Sequence, residues 1–141
     1  MKIAINKCYG GFSLSDKAIE MIMKRKGLKC YRYKQTKFSY SDDVDEYTRI
    51  DYNELEPSSF MNYSTIDLGE KIEEIPNENY WYYRNLERTD KDLISVIEEL
   101  GDEASGRYGS VKVIEIPDDV DWEIDDYDGW ESIHEKHRSW G

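Results

Sequence analysis

The stretch VKVIEIPDDVDWEIDDYDGWESIHEKHRSW, residues 111–140, constrains the fold most, because Asp128-Gly129 sits in it between alternating apolar residues. A two-residue hairpin loop of type I′ needs positive φ at both central positions, and Asp-Gly is among the pairs that supply it. The turn fixes the register: residues whose numbers sum to 257 face each other across the ribbon. Tyr127 then opposes Trp130 and Ile124 opposes Ile133, both favourable cross-strand pairs, while Glu123 opposes His134. The same register sets Asp126 against Glu131. Facing carboxylates are destabilising unless a cation, a basic partner or a raised pKa relieves them. Upstream, Val111 to Ile116 reads as a strand that Pro117 stops.

The 141 residues contain no low-complexity stretch, so a single domain spanning 1–141 is the expected organisation. Apolar residues make up only 38% of the chain, yet twelve Tyr, four Trp and three Phe can build a thin, ring-rich core. Thirty-one acidic against nineteen basic residues give a net charge of -12, which repels phosphate backbones and anionic lipid surfaces. Direct nucleic-acid binding and membrane binding are therefore not expected. No apolar run approaches the roughly 20 residues of a membrane span, and the first residues lack a signal-peptide core, which predicts a cytosolic protein. Cys8 and Cys30 form no C-x-x-C motif and read as reduced strand residues.

Lys2 to Cys8 alternates as an opening strand up to Gly10-Gly11. A helix follows: Ser15 as N-cap, Asp16 in the first turn, Leu14 stapled to Ile19, and Ile19, Ile22, Met23 and Lys26 on one stripe. Lys24 to Lys26 complement its carbonyl end and Gly27 stops it. Cys30 to Lys34 should run back as a strand beside the first. From about 35 to 79 the pattern dissolves into an irregular acidic and aromatic insertion, in which Glu46 to Tyr52 and a turn of helix near Leu68 to Glu74 should be ordered. Tyr80 to Tyr83 (YWYY) reads as a strand. A second helix starts at a Thr89 cap with Asp92 three residues on, carries Leu93, Val96, Ile97 and Leu100 on one face, and ends at Gly101. The fold class expected is α+β, a mostly antiparallel sheet with two packed helices and a C-terminal β-hairpin.

Chemistry-bearing constellations are sparse. Tyr9-Gly10-Gly11 joins a strand to a helix, and amides before a helix N-terminus can hold an anion, but the segment fits neither G-x-G-x-x-G nor the P-loop. Arg84, Arg88 and Arg107 border aromatics and could add stacking and bidentate phosphate contacts, against the plainer reading of internal salt bridges. Asp126, Asp128, Gly129 and Glu135 fall at positions 3, 5, 6 and 12 of a calcium loop whose first position is Ile124, so an EF-hand is not expected. His134 and His137 point to opposite faces of a strand and make no metal pair. No Ser or Cys lies in a nucleophile motif such as G-x-S-x-G. These readings predict no catalytic residues, no metal and no cofactor. Asp42, Asp43, Asp45 and Glu46, with Tyr82 and Tyr83, are the residues expected to meet a protein partner, with charge steering and ring anchors.

The two ends, KIAINKCYGGFSLSDKA together with EELGDEASG and VKVIEIPDDVDWEIDDYDGWESIHEKHRSW, resemble a widespread family of small proteins of tailed bacteriophages and prophages. The resemblance covers roughly half the chain and brings no established functional residues. It implies an accessory, non-structural protein made in the host bacterial cytoplasm, with inhibition of a host or antiviral-defence protein as the analogous role. The expected function is thus non-enzymatic binding of such a protein, with nucleic-acid mimicry as its sharpest form. The alternative is a sponge for a nucleotide immune signal, cyclic or ADP-ribose-based, held by Tyr9, Gly10, Gly11, Arg84, Arg88 and Arg107.

Overall fold

The structure, a computed structural model, describes residues 1–37, 45–50, 61–106 and 109–135. It is α+β with antiparallel strand pairing throughout the described residues. Contacts gather into two compact units, one formed by Met1–Ile22 with Leu86–Gly141, the other by Met23–Asn85.

In the first unit, strand β1 (Lys2–Asn6) pairs with β7 (Val111–Glu115) from Lys2 opposite Glu115 to Asn6 opposite Val111. Helix α2 (Lys91–Leu100) packs on both strands and buries Leu93, Ile94, Val96 and Ile97, the apolar face of its 3.6-residue period. Ile3, Ala4, Ile5, Phe12, Leu14, Ala18, Ile19, Ile22, Ala104 and Val111 complete this core. The N-cap of α2 is Asp90, one residue beyond the expected Thr89: its carboxylate accepts from the Asp92 and Leu93 amides at 3.0 Å each. Helix α1 (Asp16–Arg25) starts at Ser15, whose hydroxyl accepts from the Ala18 amide at 3.2 Å. It ends in the paired hydrogen bonds of a Schellman motif, Gly27 amide to Lys24 carbonyl and Leu28 amide to Met23 carbonyl, with Gly27 at φ +76°. The last pair, β8 (Trp122–Tyr127) and β9 (Trp130–Glu135), is the hairpin with the expected register, and Asp128 and Gly129 take φ +50° and +90°.

The second unit holds a five-stranded sheet ordered β5 (Lys71–Ile72), β3 (Glu46–Ile50), β2 (Tyr31–Lys37), β4 (Met61–Ser64), β6 (Tyr80–Trp81). β2 lies at its centre and pairs with β3 and β4, correcting the expectation that it runs beside β1. Strand content alone does not choose a partner, and β1 takes its partner from the far end of the chain. Tyr33 is fully buried, and its hydroxyl donates to the Gly69 carbonyl at 2.8 Å and accepts from the Leu68 amide at 2.9 Å. This grip explains a second correction: 68–74 forms no helical turn. Gly69 sits at φ +103°, Asp67 accepts from its amide at 2.9 Å, and the chain then runs as β5 against β3. The YWYY strand is shorter than expected, and Tyr83–Asn85 turns into a 3₁₀ segment.

Candidate functional site

In the first unit the hairpin turn meets the Tyr9 to Gly11 segment. A side chain at Gly129 would bring Cβ within 2.5 Å of the Gly11 nitrogen and 2.8 Å of the Tyr9 carbonyl oxygen. The hairpin turn therefore occupies the approach to the Gly11 amide, where an anion cradle would have to open. Asn6, wholly buried at the end of β1, ties this corner together. Its Nδ2 donates to the Cys8 carbonyl at 2.7 Å and the Gly129 carbonyl at 2.6 Å, and its Oδ1 accepts from the Ser110 amide at 2.8 Å.

Beneath the turn lies the answer to the facing carboxylates. Asp126 turns to its own hairpin, accepting from the Gly129 amide at 2.7 Å. Glu131 is buried, its side chain 6% exposed, and receives both guanidinium nitrogens of Arg88: Nη1 on Oε1 at 2.6 Å and Nη2 on Oε2 at 2.9 Å. A bidentate fork of this kind is the geometry in which Arg and carboxylate match best. The Glu131 Oε1 also accepts from the Asn6 amide at 2.8 Å. Arg88 donates further to the Ala4 carbonyl at 3.2 Å, while its own carbonyl accepts from the Ala4 amide at 2.8 Å and its guanidinium carbon lies 3.7 Å from the Phe12 ring centre. At Ala4 and Asn6 the edge of β1 turned away from β7 is thus met by one arginine and one glutamate where another strand would otherwise lie.

On the opposite face of the hairpin, alternation places Glu123, Asp125 and Tyr127 with Trp130, Ser132 and His134. Tyr9 reaches this face from the β1 side, its ring 5.0 Å from Trp130 and 6.5 Å from Tyr127, edge to face with the latter. The three rings remain 64%, 73% and 41% exposed for Tyr9, Tyr127 and Trp130. From Pro117 to Ile133 the sequence has eight acidic residues and no Lys or Arg, and of these only Glu131 is buried. His134 lies 3.1 Å from Asp125 and 2.9 Å from the Ser132 hydroxyl.

The expected site residues divide between the units. Tyr9, Gly10, Gly11 and Arg88 belong to the first, with Arg88 serving as an internal ion-pair partner. Arg84, Tyr82, Tyr83, Asp45 and Glu46 belong to the second. There Tyr82 stands 6.2 Å from Tyr80 and 5.3 Å from Tyr83, ring to ring. Burial, followed by the neighbouring Tyr82 and Tyr47, raises the Tyr80 hydroxyl above its ordinary pKa. Asp45 accepts from Gln35 at 3.2 Å, and Glu46 pairs with Thr36 at 3.3 Å. Arg107, Asp42, Asp43 and His137 lie outside the described residues. Among the described residues, no three His, Cys, Asp or Glu side chains converge as a metal centre. No helix among them is long and apolar enough to cross a membrane.

Asn6, Glu131, Tyr127 and Trp130 were not among the expected site residues, though signals for them existed. Asn6 is a polar intruder in KIAIN, and Glu131 carries an unrelieved cross-strand conflict. Comparison with known proteins finds no matching family, no similar curated protein and no similar solved structure.

Proposed function

We propose that this chain is a non-enzymatic accessory protein of a tailed bacteriophage, made in the host bacterial cytoplasm, that binds and inhibits a host or antiviral-defence protein through a basic site on that protein. The observation behind this reading is the exposed Tyr9, Tyr127 and Trp130 cluster, set among acidic residues and held on a buried ion pair. Ring-bearing residues on a rigid base supply affinity, and surrounding like charge supplies steering and partner choice. Nucleic-acid mimicry is the sharpest form of the proposal, because a partner evolved for phosphate already carries the complementary field. A nucleotide sponge has less support, since Arg88 is engaged by Glu131 and Gly129 packs against Gly11.

The test is affinity capture from host lysate at low salt, with a charge-reversed Glu123→Lys/Asp125→Lys/Asp128→Lys chain alongside. The unaltered chain should retain a host protein and depress that protein's activity, and the reversed chain should do neither. An empty capture, or one that charge reversal leaves unchanged, counts against the reading.

A further inference from the structure

Building on the acidic-binder reading, we infer that the Tyr9, Tyr127 and Trp130 cluster is the docking platform itself, and that its occupant is an arginine-bearing segment of the partner protein. Three observations single out this surface and this occupant. Tyr9 meets both of the other rings, at 5.0 Å from Trp130 and 6.5 Å from Tyr127 between centres, and all three residues are exposed, so what the cluster offers a partner is its outer faces. Those faces are exposed although the backbone under them is fixed at several points: Asn6 holds the Gly129 carbonyl, Asp126 holds the Gly129 amide, and the Arg88 and Glu131 fork closes the space below. Exposed rings on so well-fastened a corner are pre-organised, and pre-organisation lowers the entropic cost of association. Carboxylates dominate the hairpin around them: Glu123 and Asp125 share their face with His134, which lies 3.1 Å from Asp125, Asp128 forms the turn, and no Lys or Arg occurs between Pro117 and Ile133.

A planar guanidinium fits such a surface better than an ammonium does. It stacks flat on Tyr or Trp while its edge donors reach carboxylates in the ring plane, whereas a lysine is a hydrated point charge with no planar face to stack. The molecule already uses the same chemistry internally, where the Arg88 guanidinium lies over Phe12 while its fork meets Glu131. An apolar partner would leave the surrounding carboxylates to be dehydrated without compensation, and a phosphate-bearing one would meet like charge.

The platform is tested with octa-arginine and octa-lysine as probes, titrated calorimetrically against the full chain and against Tyr127→Ala, Tyr127→Phe and Asp125→Asn. Tyr127 is the most exposed of the rings, so its substitution leaves the fold intact, which circular dichroism verifies. The unaltered chain should bind octa-arginine at least about fivefold more tightly than octa-lysine, the factor corresponding to about 1 kcal/mol for one exposed stacked guanidinium. Tyr127→Ala should erase most of that preference, Tyr127→Phe should keep it because the ring face is retained, and Asp125→Asn should weaken both peptides. Equal binding of the two peptides, or a preference that survives Tyr127→Ala, overturns the platform and leaves the broader acidic-binder reading standing. If neither peptide binds at low salt, both fall together.

Discussion

At the residue scale, the decisive pair is Arg88 with Glu131, and its partners are unequally placed. Glu131 has a 6% exposed side chain and Arg88 a 25% exposed one. Removing one member of a buried pair leaves the other uncompensated, at a cost of about 3 to 5 kcal/mol, and that cost depends on how well the orphan can reach water. Arg88→Met strands a carboxylate that is almost wholly enclosed. Glu131→Gln keeps an oxygen for the Asn6 amide and leaves an arginine that can still lie on Phe12 and reach solvent. The first substitution should therefore shift the urea midpoint downward by clearly more than the second. Equal shifts, or the reverse order, would show that the pair is not organised as described. The pairing was half legible in the sequence: an Asp126 to Glu131 conflict calls for relief, and Arg88 stood out as a scarce cation. What sequence could not supply was that a residue just ahead of α2 and one in β9 meet at the same edge of β1, because their proximity arises only from long-range packing.

At the scale of elements, local chemistry was readable and pairing was not. The hairpin register, the Ser15 cap and the Gly27 stop follow from short-range rules and appear in the structure, as does the face of α2 at Leu93, Val96 and Ile97, with Ile94 buried as well and Leu100 only half-buried. The partners of β1 and β2 were not readable, since alternation marks a strand without saying which strand lies next to it. The cap of α2 shows where short-range reasoning slips by one residue: Thr89 and Asp90 are both cap formers in sequence, and only Asp90 has its oxygen on the two orphan amides. Asp90→Ala should accordingly cost about 1 kcal/mol, read from chemical denaturation, whereas Thr89→Ala should stay within about 0.5 kcal/mol of the parent. A larger loss at Thr89 would move the cap back to where the sequence first suggested it.

At the scale of the whole molecule, two effects of opposite sign govern the response to acid. With a net charge of -12 at neutral pH the folded chain repels itself, and protonating carboxylates on the way down from neutrality relieves that repulsion. Against this, several aspartates are held below their ordinary pKa in the folded state. Asp67 is lowered first by the Gly69 amide and then by Arg49, Asp102 by Lys112, and Asp118 by the N-terminal amine. A carboxylate with a depressed folded pKa contributes stability that is fully present above its unfolded value, about 3.9, and is lost as pH falls through the folded value. The melting temperature of the dilute protein should therefore rise as pH is lowered from 7 toward about 5 and fall below about 4. High salt, which screens self-repulsion between exposed charges, should flatten the rise. Asp67→Ala separates the two effects: its deficit relative to the parent should be present at pH 7 and should shrink toward zero as Asp67 itself becomes protonated. A deficit independent of pH would mean that Asp67 acts through shape alone, and a melting temperature that declines steadily from neutrality would mean that surface repulsion is too weak to matter, which would also remove the steering on which docking to a basic partner depends.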